Sequence, residues 1–222
     1  MNVLAFDTTR RTGSLALWLG DALAEAVLIE APDGFGSVLY QQIDELLARH
    51  ETTLAEMDGF AAASGPGSFT GIRVGLSALK ALAEIHGKPA VAVSNLKAIS
   101  AAGQAELRIP LLDARRGEVF AACYDGELQE VFSETVCKCA ELVERFRGQS
   151  PTYIAIDAAI FESAGPAEPA SAETKSIVNP AIAQGVAEIA VKELAAGRGQ
   201  KPEQIDANYI RRPDAEVNWK GR

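Results

Sequence analysis

Apolar and polar positions fall into blocks whose period changes along the chain, and each change marks an element. Val3 to Phe6, Ser14 to Leu19 and Leu23 to Ile29 are short β-type runs, the last two separated by Gly20-Asp21, which suits a tight hairpin turn. The period then lengthens. Leu39, Ile43, Leu46 and Leu47 recur at the spacing of one helical face, with Ser37 placed as an N-cap and the helix ending near His50. Phe60 to Ala63 is a continuous apolar run of strand length. Pro66 to Ser68 breaks it, and a second helix is predicted from about Phe69 to Ile85, stopped by Gly87 and Pro89. Ala90 to Val93 supplies one more strand, and strands joined through helices should run parallel.

The same order then restarts. Ile109 to Leu112, Val119 to Tyr124 and Leu128 to Phe132 are predicted strands, with Asp125-Gly126 as a type I′ hairpin signal. Leu142, Val143 and Phe146 mark a short helix, Tyr153 to Ile156 a strand, and Ala181 to Leu194 a helix. Asp7, with Arg10-Arg11 behind it, ends the first strand of one half, and Asp113, with Arg115-Arg116 behind it, ends the matching strand of the other. The chain is therefore expected to be a duplicated α/β protein: a first lobe at residues 1–104 and a second, smaller lobe with a tail at 105–222. Residues 165–171 suit a loop, and Glu203 to Arg222 a mostly polar tail.

Composition narrows the function classes. At 222 residues, 48% hydrophobic and 23% charged, the chain has the make-up of a globular protein with a sizeable core. Its 21 basic and 30 acidic residues leave a net charge of −9, a field that repels phosphate backbones and argues against unaided nucleic-acid binding. Three cysteines are too few and odd in number for a disulfide framework, no run is long and apolar enough for a membrane span, and Met1 to Asp7 lacks a signal peptide's basic region. A cytoplasmic protein is expected. Catalytic candidates are scarce. His50 and His86 lie near predicted helix ends, where histidine complements the helix dipole, and Cys137-x-Cys139 has no second ligand pair to complete a zinc site. Arg10-Arg11, Arg115-Arg116 and Arg211-Arg212 could clamp phosphate, but solvated loop arginines suit the acidic chain better.

The most unusual segment is Ser64-Gly65-Pro66-Gly67-Ser68-Phe69-Thr70-Gly71, a glycine-rich turn into a helix whose amides could face an anion. It matches neither a Walker loop nor a dinucleotide fingerprint. Gly67, Gly71 and Gly75 recur every four residues and form a stripe that lets another backbone approach closely, and Ile72, Leu76, Leu79 and Ala83 run beside it. One face of that helix should cover a sheet. The other could meet the Leu39 to Leu47 helix or a second polypeptide. Asp7-Thr8-Thr9 could organise an Asx-type turn or, as in the actin, hexokinase and heat-shock ATPase superfamily, a first phosphate loop.

Leu4 to Thr9, Ile43 to Leu47, Gly65 to Gly75 and Leu111 to Val119 together resemble the TsaB (YeaZ) family, which serves the making of N6-threonylcarbamoyladenosine at position 37 of tRNA. The likeness is clear to about residue 125 and looser beyond, with Asn208 to Arg211 resembling the family's tail; Gly36 stands where the family often has histidine. The resemblance implies an actin-like (ASKHA) α/β fold of two RNase H-like lobes with mixed sheets, the second reduced. It further implies an inactive paralogue of the transferase TsaD. TsaD-type proteins carry a metal-binding pair of histidines in a Val-x-His-x-x-x-His stretch, and Asn95 and Ile99 stand in both positions here. No catalytic residue, cofactor or metal is implied.

The implied role is a non-catalytic scaffold and activator subunit that pairs with a TsaD-like catalytic subunit, is joined by a TsaE-like ATPase, forms a homodimer when alone, and meets tRNA only through the complex. Leu39, Tyr40, Ile43, Leu47, Gly71, Ile72, Gly75, Leu76 and Leu79 are the expected interface, and Gly75→Leu is expected to block pairing without unfolding the chain. Asp7, Thr8, Thr9, Gly65 and Gly67 are weak nucleotide-contact candidates. The competing expectation is an ATP-dependent small-molecule kinase or a metallopeptidase of the same superfamily, which requires ATP or metal binding by the isolated chain.

Overall fold

The computed structural model describes residues 1–163 and 174–211. The elements run β1 (Val3–Asp7), β2 (Thr12–Leu19), β3 (Ala22–Glu30), α1 (Leu39–Arg49), β4 (Gly59–Ala63), α2 (Phe69–His86), β5 (Ala90–Val93) and α3 (Asn95–Ala101). They continue with β6 (Leu107–Arg115), β7 (Glu118–Asp125), β8 (Glu130–Cys137), α4 (Cys139–Arg145), β9 (Thr152–Ala155), α5 (Ala159–Ser163), β10 (Thr174–Ile177) and α6 (Ile182–Ala195). The strand orders are β3-β2-β1-β4-β5 and β10-β9-β6-β7-β8. Reversing the second gives β8-β7-β6-β9-β10, which is the first order again. In both sheets the three opening strands form an antiparallel meander and the later ones join in parallel. The second lobe is reduced in its helices, not in its strands.

Side-chain alternation along β1 decides the layers. Leu4 and Phe6 turn toward α1 and α2, in a core shared with Leu15, Leu17, Phe60 and the buried faces of both helices. Val3 and Ala5 turn the other way. They join Ala16, Ala61 and Ala63 under α3 and α6, and the same core takes in Leu112, Ala122 and Ile154 of the second sheet. The small residues on this face let α6 lie close, and a methyl group on its Gly185 would collide with the Ala98 carbonyl of α3. A third core gathers the far face of the second sheet against Leu142 and Phe146. The layers are thus helices, sheet, helices, sheet, helices. Although it comes late in the chain, α6 packs on β1, β2 and β4 of the first sheet.

Several local expectations change. Val38, not Ser37, is the N-cap residue of α1; the Ser37 hydroxyl instead donates to the Gly34 carbonyl at 3.3 Å, and the helix starts without a side-chain cap. The strand expected at Leu128 to Phe132 begins at Glu130, because Leu128 sits at φ 59° in the turn, where Asp125 Oδ1 accepts from the amides of Glu127 and Gln129. The short elements α3, α5 and β10 were not expected. The loop at 165–171 and the tail beyond Arg211 lie outside the described residues.

Candidate functional site

The end of β1 folds back on itself. Asp7 Oδ1 accepts from the Thr9 amide at 2.8 Å and from the Thr9 hydroxyl at 2.6 Å, and all three residues of Asp7-Thr8-Thr9 are buried. This is the Asx-type turn. Burial pushes the Asp7 carboxyl above its ordinary value, partly offset by the charge of Arg10, whose Nε lies 3.8 Å from Asp7 Oδ2. The Thr8 hydroxyl donates to the Gly71 carbonyl at 2.7 Å, and the Thr9 hydroxyl accepts from Asn95 Nδ2 at 2.5 Å. Asn95 also holds the glycine-rich turn, its Oδ1 accepting from the Gly65 amide at 3.0 Å. So the residue that stands in place of the first histidine is a buried cross-link between the two turns. Ile99, in place of the second, is packed in the core.

The glycine stripe serves this interlock. A Cβ on Gly67 would come 2.6 Å from the Thr9 carbonyl oxygen, one on Gly75 2.5 Å from the Thr8 hydroxyl, and one on Gly71 would overlap the Thr8 carbonyl. The close approach expected from the spacing is therefore to the chain's own β1 turn. The residues expected at an interface lie mostly on these packed faces. Leu39, Ile43, Leu47, Ile72, Leu76 and Leu79 are buried within the lobe, Gly71 and Gly75 face Thr8, and Tyr40 alone of the nine is exposed, at 48%. The Gly75→Leu expectation reverses with them, since leucine there would strike Thr8 before it met any partner.

Two open features adjoin these residues. The first is a cleft of about 490 Å³ between the lobes, bordered by Thr9, Arg10, Gly67 and Ser68 on one side and by Asp113, Arg115, Phe120 and Asp157 on the other. Its arginines are engaged: Arg10 donates to the Pro180 carbonyl at 2.8 Å, and Arg115 lies 3.4 Å from Asp113. Of the weak nucleotide-contact candidates, Thr9 and Gly67 line this cleft, while Asp7, Thr8 and Gly65 lie behind it. Elsewhere, His50 and Arg49 tie the end of α1 to Glu25 of β3, and His86 packs against the Phe60 ring. Burial pushes the Cys123 and Cys137 thiols up to about 11, which keeps them protonated and unreactive at neutral pH. Among the described residues, no cluster of three or more His, Cys, Asp or Glu could hold a metal ion.

The second feature is a groove of about 610 Å³ between α1 and α2. Phe35, Tyr40, Phe69, Val74 and Ala81 give it apolar walls, and Arg73 and Ser77 border it. Phe69 is 38% exposed and its ring has two partners: the Arg73 guanidinium lies 4.0 Å from its centre, and Tyr209 stacks on it at 5.3 Å. The groove lies on the same two helices that sequence reasoning singled out, but on other faces of them. Phe69, Arg73, Val74, Ser77 and Ala81 were legible as the helical positions that fall off the Ile72-Leu76-Leu79-Ala83 stripe. Tyr209 carried no such signal.

A family model described as "TsaD: tRNA N6-adenosine threonylcarbamoyltransferase" matches residues 33–219. A tRNA threonylcarbamoyladenosine biosynthesis protein TsaB from Escherichia coli is 26% identical over 99% of this chain and 97% of its own length. Another, from Haemophilus influenzae, is 30% identical over 68% of this chain and 70% of its own. Among solved structures, YeaZ from Pseudomonas aeruginosa superposes with a TM-score of 0.78 at 25% identity, covering 94% of this chain and 99% of that one.

Proposed function

The chain belongs to the TsaB (YeaZ) family, within the wider TsaD family, and we propose that it acts there as a non-catalytic subunit that docks a TsaD-like catalytic partner in its α1–α2 groove. The process it serves is the biosynthesis of tRNA threonylcarbamoyladenosine. Docking stabilises the partner conformation competent for threonylcarbamoyl transfer to adenosine 37, a population shift through differential binding. A TsaE-like ATPase joins the pair, and in the absence of the partner a second copy of the chain occupies the groove. The first lobe, residues 1–104, carries this surface; tRNA is met only through the assembly.

The groove is the observation that carries the reading. It joins exposed aromatic, aliphatic and arginine side chains, the composition of interface cores. The alternative of a kinase or peptidase lacks a comparable support, because in the turn that would hold phosphate the Thr8 hydroxyl is bonded to the Gly71 carbonyl and the Thr9 hydroxyl to Asp7 and Asn95. No helix among the described residues is long and apolar enough to cross a membrane. Titration of the full chain with the TsaD-like protein of its own host, followed by sedimentation, tests the reading. A one-to-one complex is expected, and two proteins sedimenting independently at micromolar concentration would overturn it.

A further inference from the structure

The segment from Ile205 to Arg211 crosses the molecule and is fastened to both lobes. Ile205 is buried in the core of the first lobe, under α1 and α2. The Asn208 amide donates to the Ser64 carbonyl at the end of β4, at 2.8 Å. From the same residue, Nδ2 donates to Glu134 Oε2 of β8, in the second sheet, at 2.6 Å. The other oxygen of Glu134 accepts from the Tyr124 hydroxyl of β7 at 2.7 Å and from the Ser94 hydroxyl, which caps α3. Arg211 then reaches the β6–β7 turn, donating to the Ala114 carbonyl at 2.7 Å and pairing with Glu118. Between these fastenings, Tyr209 stacks on Phe69, the first residue of α2 and a wall of the docking groove.

We infer that residues 205–211 form a strap that couples occupancy of the α1–α2 groove to the setting of the two lobes. The inference rests on the docking reading above and adds to it a regulatory element of the same site. The physical route is short. A partner seated in the groove must contact or displace the Phe69 ring, which touches both Arg73 and Tyr209. Any move of Tyr209 is passed to its neighbour Asn208, whose side chain is bonded to a carboxylate shared by β7, β8 and the cap of α3. Glu134 is thus a junction of three donors from three parts of the chain. Because coupling between two sites is reciprocal, loosening the strap at Glu134 weakens docking although neither Asn208 nor Glu134 borders the groove.

Hydrogen exchange on the full chain, alone and with its host's TsaD-like protein at saturating concentration, reads the coupling. In the unaltered chain, docking is expected to slow exchange in α1 and α2 and also in residues 205–211 and the β6–β7 turn. In Asn208→Ala, and in the shape-conserving Glu134→Gln, the complex still forms, affinity falls about fivefold, and slowed exchange is confined to α1 and α2. Protection confined to those helices in the unaltered chain, or unchanged affinity in both variants, overturns the strap and leaves the docking reading intact. If the unaltered chain shows no complex at all, the docking reading fails and the strap with it.

Discussion

A methyl group on Gly71 would overlap the Thr8 carbonyl oxygen, although the residue lies in the first turn of α2, where alanine is intrinsically the better helix former. Gly71→Ala is therefore expected to destabilise the chain by about 3 kcal/mol, at the upper end of overpacking costs, measured by urea unfolding. An unchanged midpoint would mean that the β1 turn and α2 are not interlocked. Asp7 makes the opposite kind of prediction. Its carboxyl is raised above 3.8 by burial, so its favourable contribution is complete only below that value and is lost as pH rises through the raised one. Asp7→Asn removes the charge, and its Tm at pH 7 is expected to exceed that of the unaltered chain by roughly 2–4 °C. The difference should close as the pH falls toward 4; a constant offset would show that the charge is not its cause. The Asx-type turn at Asp7 was legible because an aspartate two residues before an amide donor is a local motif. That its second oxygen would be buried beside Arg10 was not, since that depends on packing from α6 and the second lobe.

At the scale of elements, α1 and α2 were found by their periods, and most of the residues expected at an interface are packed inside the lobe. A glycine every fourth residue says that some backbone comes close and does not say whose. The structure answers with Thr8 and Thr9, and the neighbouring strip of α2 borders the open groove. Ser77→Arg puts a long charged chain in the groove from an exposed position and is expected to abolish pairing with a Tm within about 2 °C of the unaltered chain. Tyr40→Ala, which trims a half-exposed ring, is expected to weaken pairing about thirtyfold by titration, as a central aromatic anchor does. Equal affinity in both variants would place the interface elsewhere. The elements that escaped prediction share a cause. With 7 residues in α3 and 5 in α5, neither helix spans enough turns to show a period, and the 4 residues of β10, Thr174-Lys175-Ser176-Ile177, lack the apolar run that marked the equally short β5 and β9.

Over the whole molecule, the duplication was visible in the repeated strand, aspartate and arginine pattern, and the structure carries it through to a common strand order in both sheets. What the pattern could not show is that the turns facing the cleft are closed by their own hydrogen bonds. Equilibrium dialysis of the isolated chain with labelled ATP and magnesium is accordingly expected to give no stoichiometric binding at 100 µM, roughly ten times the tightness needed for a weak 1 mM site to be ignored; one bound nucleotide per chain would restore the kinase alternative. The late position of α6 matters before any partner is met. Its side chains cover Val3, Ala5, Ala16, Ala61 and Ala63, strands made at the start of synthesis. On the ribosome, the first sheet must wait with one apolar side bare until α6 has emerged, so a premature stop or a slow codon run before Ile182 leaves a sticky half-protein for chaperones and proteases to handle.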